Sequence, residues 1–155
     1  MKRFFVGILA GTAATVPMSV VMQALHRWPR REAASLPPRQ ITYRIARRTG
    51  AARQLDKNGL QALTWINHFG YGAGMGGLYV LLTSRIKAHP VLKGAAWGMI
   101  IWTISYLGWL PAAGILPPAT QHTKRRNSLM LISHLVWGVT TAILADRSHR
   151  LGSES

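Results

Sequence analysis

The sequence has no cysteine. That excludes disulfides, thiolate metal sites and a cysteine nucleophile, and leaves the compartment open. Acidic residues are almost as scarce: four Asp and Glu stand against nineteen Lys and Arg, for a formal net charge of +15 in 155 residues. None of the four lies within the long apolar runs of the chain. Those runs therefore offer no carboxylate pair, no Ser/His/Asp set and no metal-binding cluster such as His-x-x-x-His. An enzyme is the third choice among functional classes, and no metal site is expected.

What is present is apolar residue in quantity, 48% of the chain. Such a content fits a charge of +15 only if the two kinds of residue are segregated, and they are. The windows Phe4–Leu25, Leu60–Ser84, Gly94–Thr123 and Asn127–Ala145 carry no Lys, Arg, Asp or Glu. About 20 such residues are needed to cross a bilayer core as a helix. The expected fold is an all-α membrane protein: one domain over 1–155 with four transmembrane helices at about 4–25, 63–83, 94–110 and 128–145. Met1-Lys2-Arg3 before an apolar run imitates a secretory signal, but the run continues through Pro17 and Met18 to Leu25 and meets His26-Arg27-Trp28 with no small-residue cleavage site. An uncleaved first membrane helix is expected. A basic chain can also bind nucleic acid. Here the basic residues are confined to the connections, so the expected partner is a bilayer with anionic headgroups, not nucleic acid.

The connection 26–59 holds nine of the nineteen Lys and Arg. Leu36-Pro37-Pro38 should stop a helix. Beyond it, Ile41 and Ile45 with Arg44 and Arg48 follow helical spacing up to Gly50, which suits either an amphipathic helix in the headgroup plane or a solvated loop. Arg39, Arg44, Arg47, Arg48, Lys124, Arg125 and Arg126 are the expected membrane-surface cations. Small residues recur four apart at Gly7/Gly11, Gly70/Gly74, Gly72/Gly76 and Gly94/Gly98. That spacing lets helices approach closely in lipid. The glycine-rich second helix is expected to be the most buried, with Gly74 as a close contact. Trp97 and Trp109 are expected at the interface and Trp102 in the packing.

Ile66-Asn67-His68-Phe69-Gly70-Tyr71-Gly72 lines up with Ile132-Ser133-His134-Leu135-Val136-Trp137-Gly138. A repeated two-helix unit returns to its starting side, so the two hairpins should be related by an axis along the membrane normal. His68 and His134 then lie at one depth, about 8 Å inside the boundary at 1.5 Å per residue. Asn67, Tyr71 and Ser133 join them, with Gln23, His26, Ser105, Tyr106 and Trp109 arriving from the ends of helices one and three. Histidine inside a membrane marks a functional candidate. Equally, neutral histidines can simply hydrogen-bond a neighbouring helix and set its register. Three sharper readings compete: a proton or small-solute path lined by the histidines, a haem held between His68 and His134, and a membrane enzyme.

Gly7-Ile-Leu-Ala-Gly11, Leu36-Pro-Pro-Arg39, His68-Phe-Gly-Tyr-Gly72, Tyr106-Leu-Gly-Trp109 and Leu116-Pro-Pro118 occur in that order. Over most of its length the chain thus resembles the YagU-type family of small bacterial inner-membrane proteins. The resemblance implies that membrane and a link to acid or envelope stress, and assigns no catalytic residue. The expected function is an envelope- or stress-associated protein with a pH-responsive pocket, and the alternative is a small transporter or channel component, with a second copy of the chain completing the path. Connections one and three carry twelve Lys and Arg against seven elsewhere, which puts both termini outside, in the periplasm.

Overall fold

Long apolar runs with capped ends fold as long rods, and the caps fix the ends more sharply than hydropathy does. The computed structural model describes residues 2–27 and 35–151. Residues 28–34 of the basic connection, Trp28 among them, and the tail beyond 151 lie outside the described residues. Helix α1 spans Lys2–Arg27 and accommodates Pro17. Helix α2 spans Pro37–Arg48. Pro37 and Pro38 fill its first turn, where a missing N–H costs nothing. The Leu-Pro-Pro motif expected to stop a helix therefore starts one, and the connection is a helix, not a loop. Gly50, at φ 80°, turns the chain out of it.

Helix α3 spans Lys57–Thr83. It begins ahead of the expected Leu63 because the Asp56 carboxylate accepts from the Gly59 amide at 2.7 Å and so caps the helix there. Helix α4, Pro90–Thr103, again opens on proline. It runs on through a π-helical segment, Ile104–Trp109, into the short α5, Leu110–Ala112. Pro111 lacks an amide and its ring crowds the carbonyl four residues back. The wider turn upstream, which departs from helical angles at Gly108, relieves that crowding. Helix α6 spans Lys124–Leu151, longer at both ends than the expected 128–145. No strand occurs among the described residues. Two rods, α1 over Arg3–Arg27 and α6 over Lys124–Arg147, are long and apolar enough to cross a membrane.

The rods pair as α1 with α3 and α4 with α6, and the pairs join through α1 and α6. The centre is thus α1 and α6, a correction to the expectation that the glycine-rich second helix would be innermost. Helix α3 uses one stripe of its glycines. A Cβ on Gly76 would stand 2.7 Å from the Gly11 Cα, and one on Gly7 would stand 2.9 Å from the Gly77 Cα. Gly70 and Gly74, expected to pack, have nothing within 4 Å of such a Cβ and face outward. Trp97, expected at an interface, is buried and donates to the Met75 carbonyl at 3.2 Å.

The repeat survives in the packing. Gly11 meets Gly72 and Gly76; Gly94 meets Gly138 and Ala142; Gly72 faces Thr15, and Gly138 faces Gly98. One register covers both pairs: α3 maps onto α6, His68 onto His134, and α1 maps onto α4, Gly11 onto Gly94. Under it the junction of α1 with α6 should recur between α4 and α3, yet the backbones of those two rods come close at few points and side chains fill the space between them. The register supplies the reason. Ala14 and Ala145 of the closed junction correspond to Trp97 and Tyr79 of the open one. Both aromatic side chains are buried, with ring centroids 6.2 Å apart. Two methyl groups allow close approach where two aromatic rings hold the rods apart.

Candidate functional site

The space held open between α3 and α4 continues toward the π segment as a cavity of about 400 Å³. Helix α1 contributes Thr15, Met18 and Met22, and α2 lays Ile41, Thr42 and Ile45 across one end. Asn67, His68, Tyr71 and Gly72 line it from α3. Ile101, Ser105, Tyr106 and Trp109 line it from α4 and the π segment, and Met130, His134 and Trp137 from α6. Asn67, Tyr71 and Trp109 are exposed. They form the mouth, which opens sideways between two rods and not at the end of the bundle. The hydroxyls of Tyr71 and Ser105 are hydrogen-bonded across this mouth at 3.0 Å.

The hydrogen bonds fix the imidazole tautomers. The Ser19 hydroxyl donates to the Thr15 carbonyl at 2.7 Å, so its oxygen accepts from His68 Nε2 at 3.2 Å. His134 Nδ1 donates to the Met130 carbonyl at 2.8 Å. In a neutral imidazole the second nitrogen is then an acceptor. His68 Nδ1 and His134 Nε2 have no hydrogen-bond partner among the described residues, and neither is sealed from the surrounding space. His134 is itself 7% exposed, and Tyr106 meets its ring edge-on at 5.8 Å. Both rings line the cavity, and each keeps one acceptor nitrogen without a partner among the described residues in a largely apolar surrounding.

Of the residues singled out from the sequence, Asn67, His68, Tyr71, Tyr106 and His134 come together here. Ser133 does not join them; it is fully buried and donates to the Leu129 carbonyl within its own helix. Gln23 and His26 lie instead on a neighbouring cavity of about 310 Å³, which shares His68, Met22 and Pro38 with the first. His68 therefore stands in the wall between the two. Ser19, Thr42 and Met130 were not singled out. Thr42, which accepts from the Asn67 amide at 3.3 Å, sits one residue off the Ile41/Ile45 stripe, and that position was its signal.

The expected membrane-surface cations divide. Arg39, Arg47 and Lys124 are exposed, and Arg47 lies over the Tyr43 ring at 5.9 Å. Four others turn onto the protein. Arg44 donates to the Ile115 carbonyl at 2.6 Å, and Arg48 to the Ala113 and Gly114 carbonyls. Arg125 donates to the Leu25 carbonyl, and Arg126, 7% exposed, to Gln40. Arg125 thus satisfies a carbonyl near the end of α1, and Arg44 and Arg48 satisfy carbonyls just past α5, groups that a helix leaves unpaired; Arg44, Arg48 and the Arg126–Gln40 bond tie α2 over the cavity.

Residues 12–143 match the family described as protein of unknown function (DUF1440). The chain belongs to that family. No curated protein and no solved structure matches it. The DUF1440 match takes in α1 from Thr12, α6 as far as Ile143 and everything between, the whole cavity lining included, so the site described here lies inside the family's shared region.

Proposed function

We propose that this DUF1440 protein is a multi-spanning protein of the bacterial inner membrane, of the YagU type, with an acid-responsive polar pocket between its hairpins. A membrane location is supported by the outward faces of the rods. Leu9, Val16 and Val20 of α1, Leu78, Leu81 and Leu82 of α3, and Ile100, Ile104 and Leu107 beyond are all exposed. An apolar belt on this scale is a lipid-facing surface in a bilayer and a liability in water. Arg39, Arg47 and Lys124 at the α2 end suit anionic headgroups.

The observation that carries the pocket reading is the pair of imidazole nitrogens, from equivalent positions of the two hairpins, open to one cavity. The titratable groups lining it are His68 and Tyr71 from α3, Tyr106 from the π segment and His134 from α6; α1, α2 and α4 add none. The cations of the covering elements, Arg44 and Arg126, are engaged with Ile115 and Gln40. The neighbouring cavity, which reaches Arg27 and Arg39, gives His68 a route to the basic end. Two imidazolium ions in one low-dielectric pocket repel, so acid favours an opened, hydrated pocket. The lining stops at Thr15, Gly72, Ile101 and Trp137, part-way along the rods, which favours a one-sided binding pocket over a transport path. Hydrogen exchange of α2 and the π segment in lipid nanodiscs should rise between pH 6 and 3.5, and a His68→Gln, His134→Gln variant should lose that rise. An identical pH response in parent and variant removes the reading.

A further inference from the structure

We infer that the cavity binds the head of a membrane-borne hydroquinone, an aromatic diol on an apolar tail, and prefers it to the oxidised quinone. The inference rests on the pocket reading above and adds the chemistry of its occupant. Four observations converge on it. The cavity is about 400 Å³, within the range of small-molecule sites and ample for one substituted six-membered ring. Its mouth lies between two rods at Tyr71 and Trp109, in the apolar belt, so the ligand enters from the bilayer and leaves its tail there. Its walls are thioether, aliphatic and indole groups, Met18, Ile101 and Trp137 among them, and these suit a flat ring.

The fourth observation sets the redox preference. His68 Nε2–H is committed to Ser19 and His134 Nδ1–H to the Met130 carbonyl. Each remaining nitrogen, His68 Nδ1 and His134 Nε2, offers a lone pair and no proton. A hydroquinone brings two O–H donors, which those lone pairs accept. A quinone brings only carbonyl acceptors, which would face them lone pair to lone pair. Buried polar groups left unmatched in this way are what make a hydrogen-bonding site selective. Protonation inverts the preference, because an imidazolium donates through both nitrogens. The Tyr71–Ser105 hydrogen bond crosses the mouth and must part for entry.

The test uses the full chain in nanodiscs under anaerobic conditions, with quenching of tryptophan emission as the readout; Trp109 and Trp137 line the site. The probes are a decyl-substituted hydroquinone, its quinone, its di-O-methyl ether and tailless hydroquinone. At pH 7.5 the decyl hydroquinone should bind roughly tenfold tighter than the quinone or the ether, the scale of one to two net hydrogen bonds. At pH 3.5 the quinone should gain and the hydroquinone lose. Tighter binding of the tailed diol supports a bilayer source; equal binding of the tailless diol overturns that part. Equal affinity for diol, quinone and ether overturns the role of the imidazoles. Absence of binding by every probe, with the pH-dependent exchange of α2 intact, overturns the ligand class and leaves the acid-responsive pocket standing. Loss of both removes the two together.

Discussion

Two glycines within one turn of α3, Gly74 and Gly76, face opposite sides of the helix and make a sharp test of the packing, because the same substitution should act with opposite sign at each. At Gly76 a new Cβ would lie 2.7 Å from the Gly11 Cα and 2.9 Å from its nitrogen. Both are backbone atoms of a buried helix, so no side chain can swing away. Ordinary contact begins at 3.4 Å, and α1 and α3 must part by at least about 0.7 Å there, since the Gly7 carbonyl oxygen stands closer still. Overfilling of this kind costs roughly 1–3 kcal/mol. The parting also forfeits a quarter to a half of the dispersion well for neighbouring contacts, on the order of a further 1–2 kcal/mol over the shared face. Against this stands a helix-propensity gain of about 1 kcal/mol for Gly→Ala. Gly76→Ala should therefore destabilise by about 2 kcal/mol or more. At Gly74 nothing lies within 4 Å, the propensity gain stands alone, and Gly74→Ala should stabilise by about 0.5–1 kcal/mol. Denaturant titration of the detergent-solubilised protein, followed by far-UV circular dichroism, measures both. Equal shifts of the two variants, or a larger loss at Gly74, would refute the assignment of Gly76 to the α1 contact and of Gly74 to the outer surface.

Replacing Arg48 by Met removes the donor to the Ala113 and Gly114 carbonyls at an exposed site. It should cost about 1 kcal/mol and raise hydrogen exchange in α2 more than in α6; unchanged α2 exchange would mean that α2 is held by its apolar face alone. The excess of Lys and Arg at the α2 end predicts both termini outside the cytoplasm, and a C-terminal reporter active in the cytoplasm would overturn that orientation. Trp97→Ala removes half of the aromatic wedge between α3 and α4. Spin labels at Leu78 and Ile100 should then report a shorter separation, toward the roughly 8 Å interaxial distance of small-residue contacts. An unchanged distance, with a destabilisation of about 3–5 kcal/mol from an unfilled void, would show that something other than Trp97 holds the gap.

Much of the fold was legible because its determinants are local. Charge-free windows marked the rods, and residues four apart marked Gly7, Gly11, Gly94 and Gly98 as contacts. The match between Ile66–Gly72 and Ile132–Gly138 marked the two hairpins. Which of two overlapping glycine stripes on α3 faces α1 was not legible, since Gly70/Gly74 and Gly72/Gly76 have the same spacing and only the partner distinguishes them. The π turn was hidden for a similar reason: Pro111 announces a disturbance without saying how far upstream it is absorbed. The inward arginines misled because a cation beside a membrane and a cation on a helix-end carbonyl look alike in sequence.

The site was legible as a set of residues and not as a space. His68 and His134 could be placed at one depth from the repeat, but a perfect repeat would have closed both junctions between the hairpins alike. The cavity exists where the repeat fails. Ala10, Ala14, Ala142 and Ala145 are buried in the core that α1 and α6 share, whereas Trp97 and Tyr79, the counterparts of Ala14 and Ala145, fill the space between α4 and α3. Trp137 donates to the Gly11 carbonyl at 3.1 Å across the closed junction. Its counterpart Tyr71 spans the open one as far as Ser105. The same position of the repeat is thus a buried indole on one side and an exposed phenol at the mouth on the other. The cavity lies beyond the Trp97–Tyr79 pair, between α3 and the π segment, and His68 and His134, at equivalent positions of the repeat, both line it.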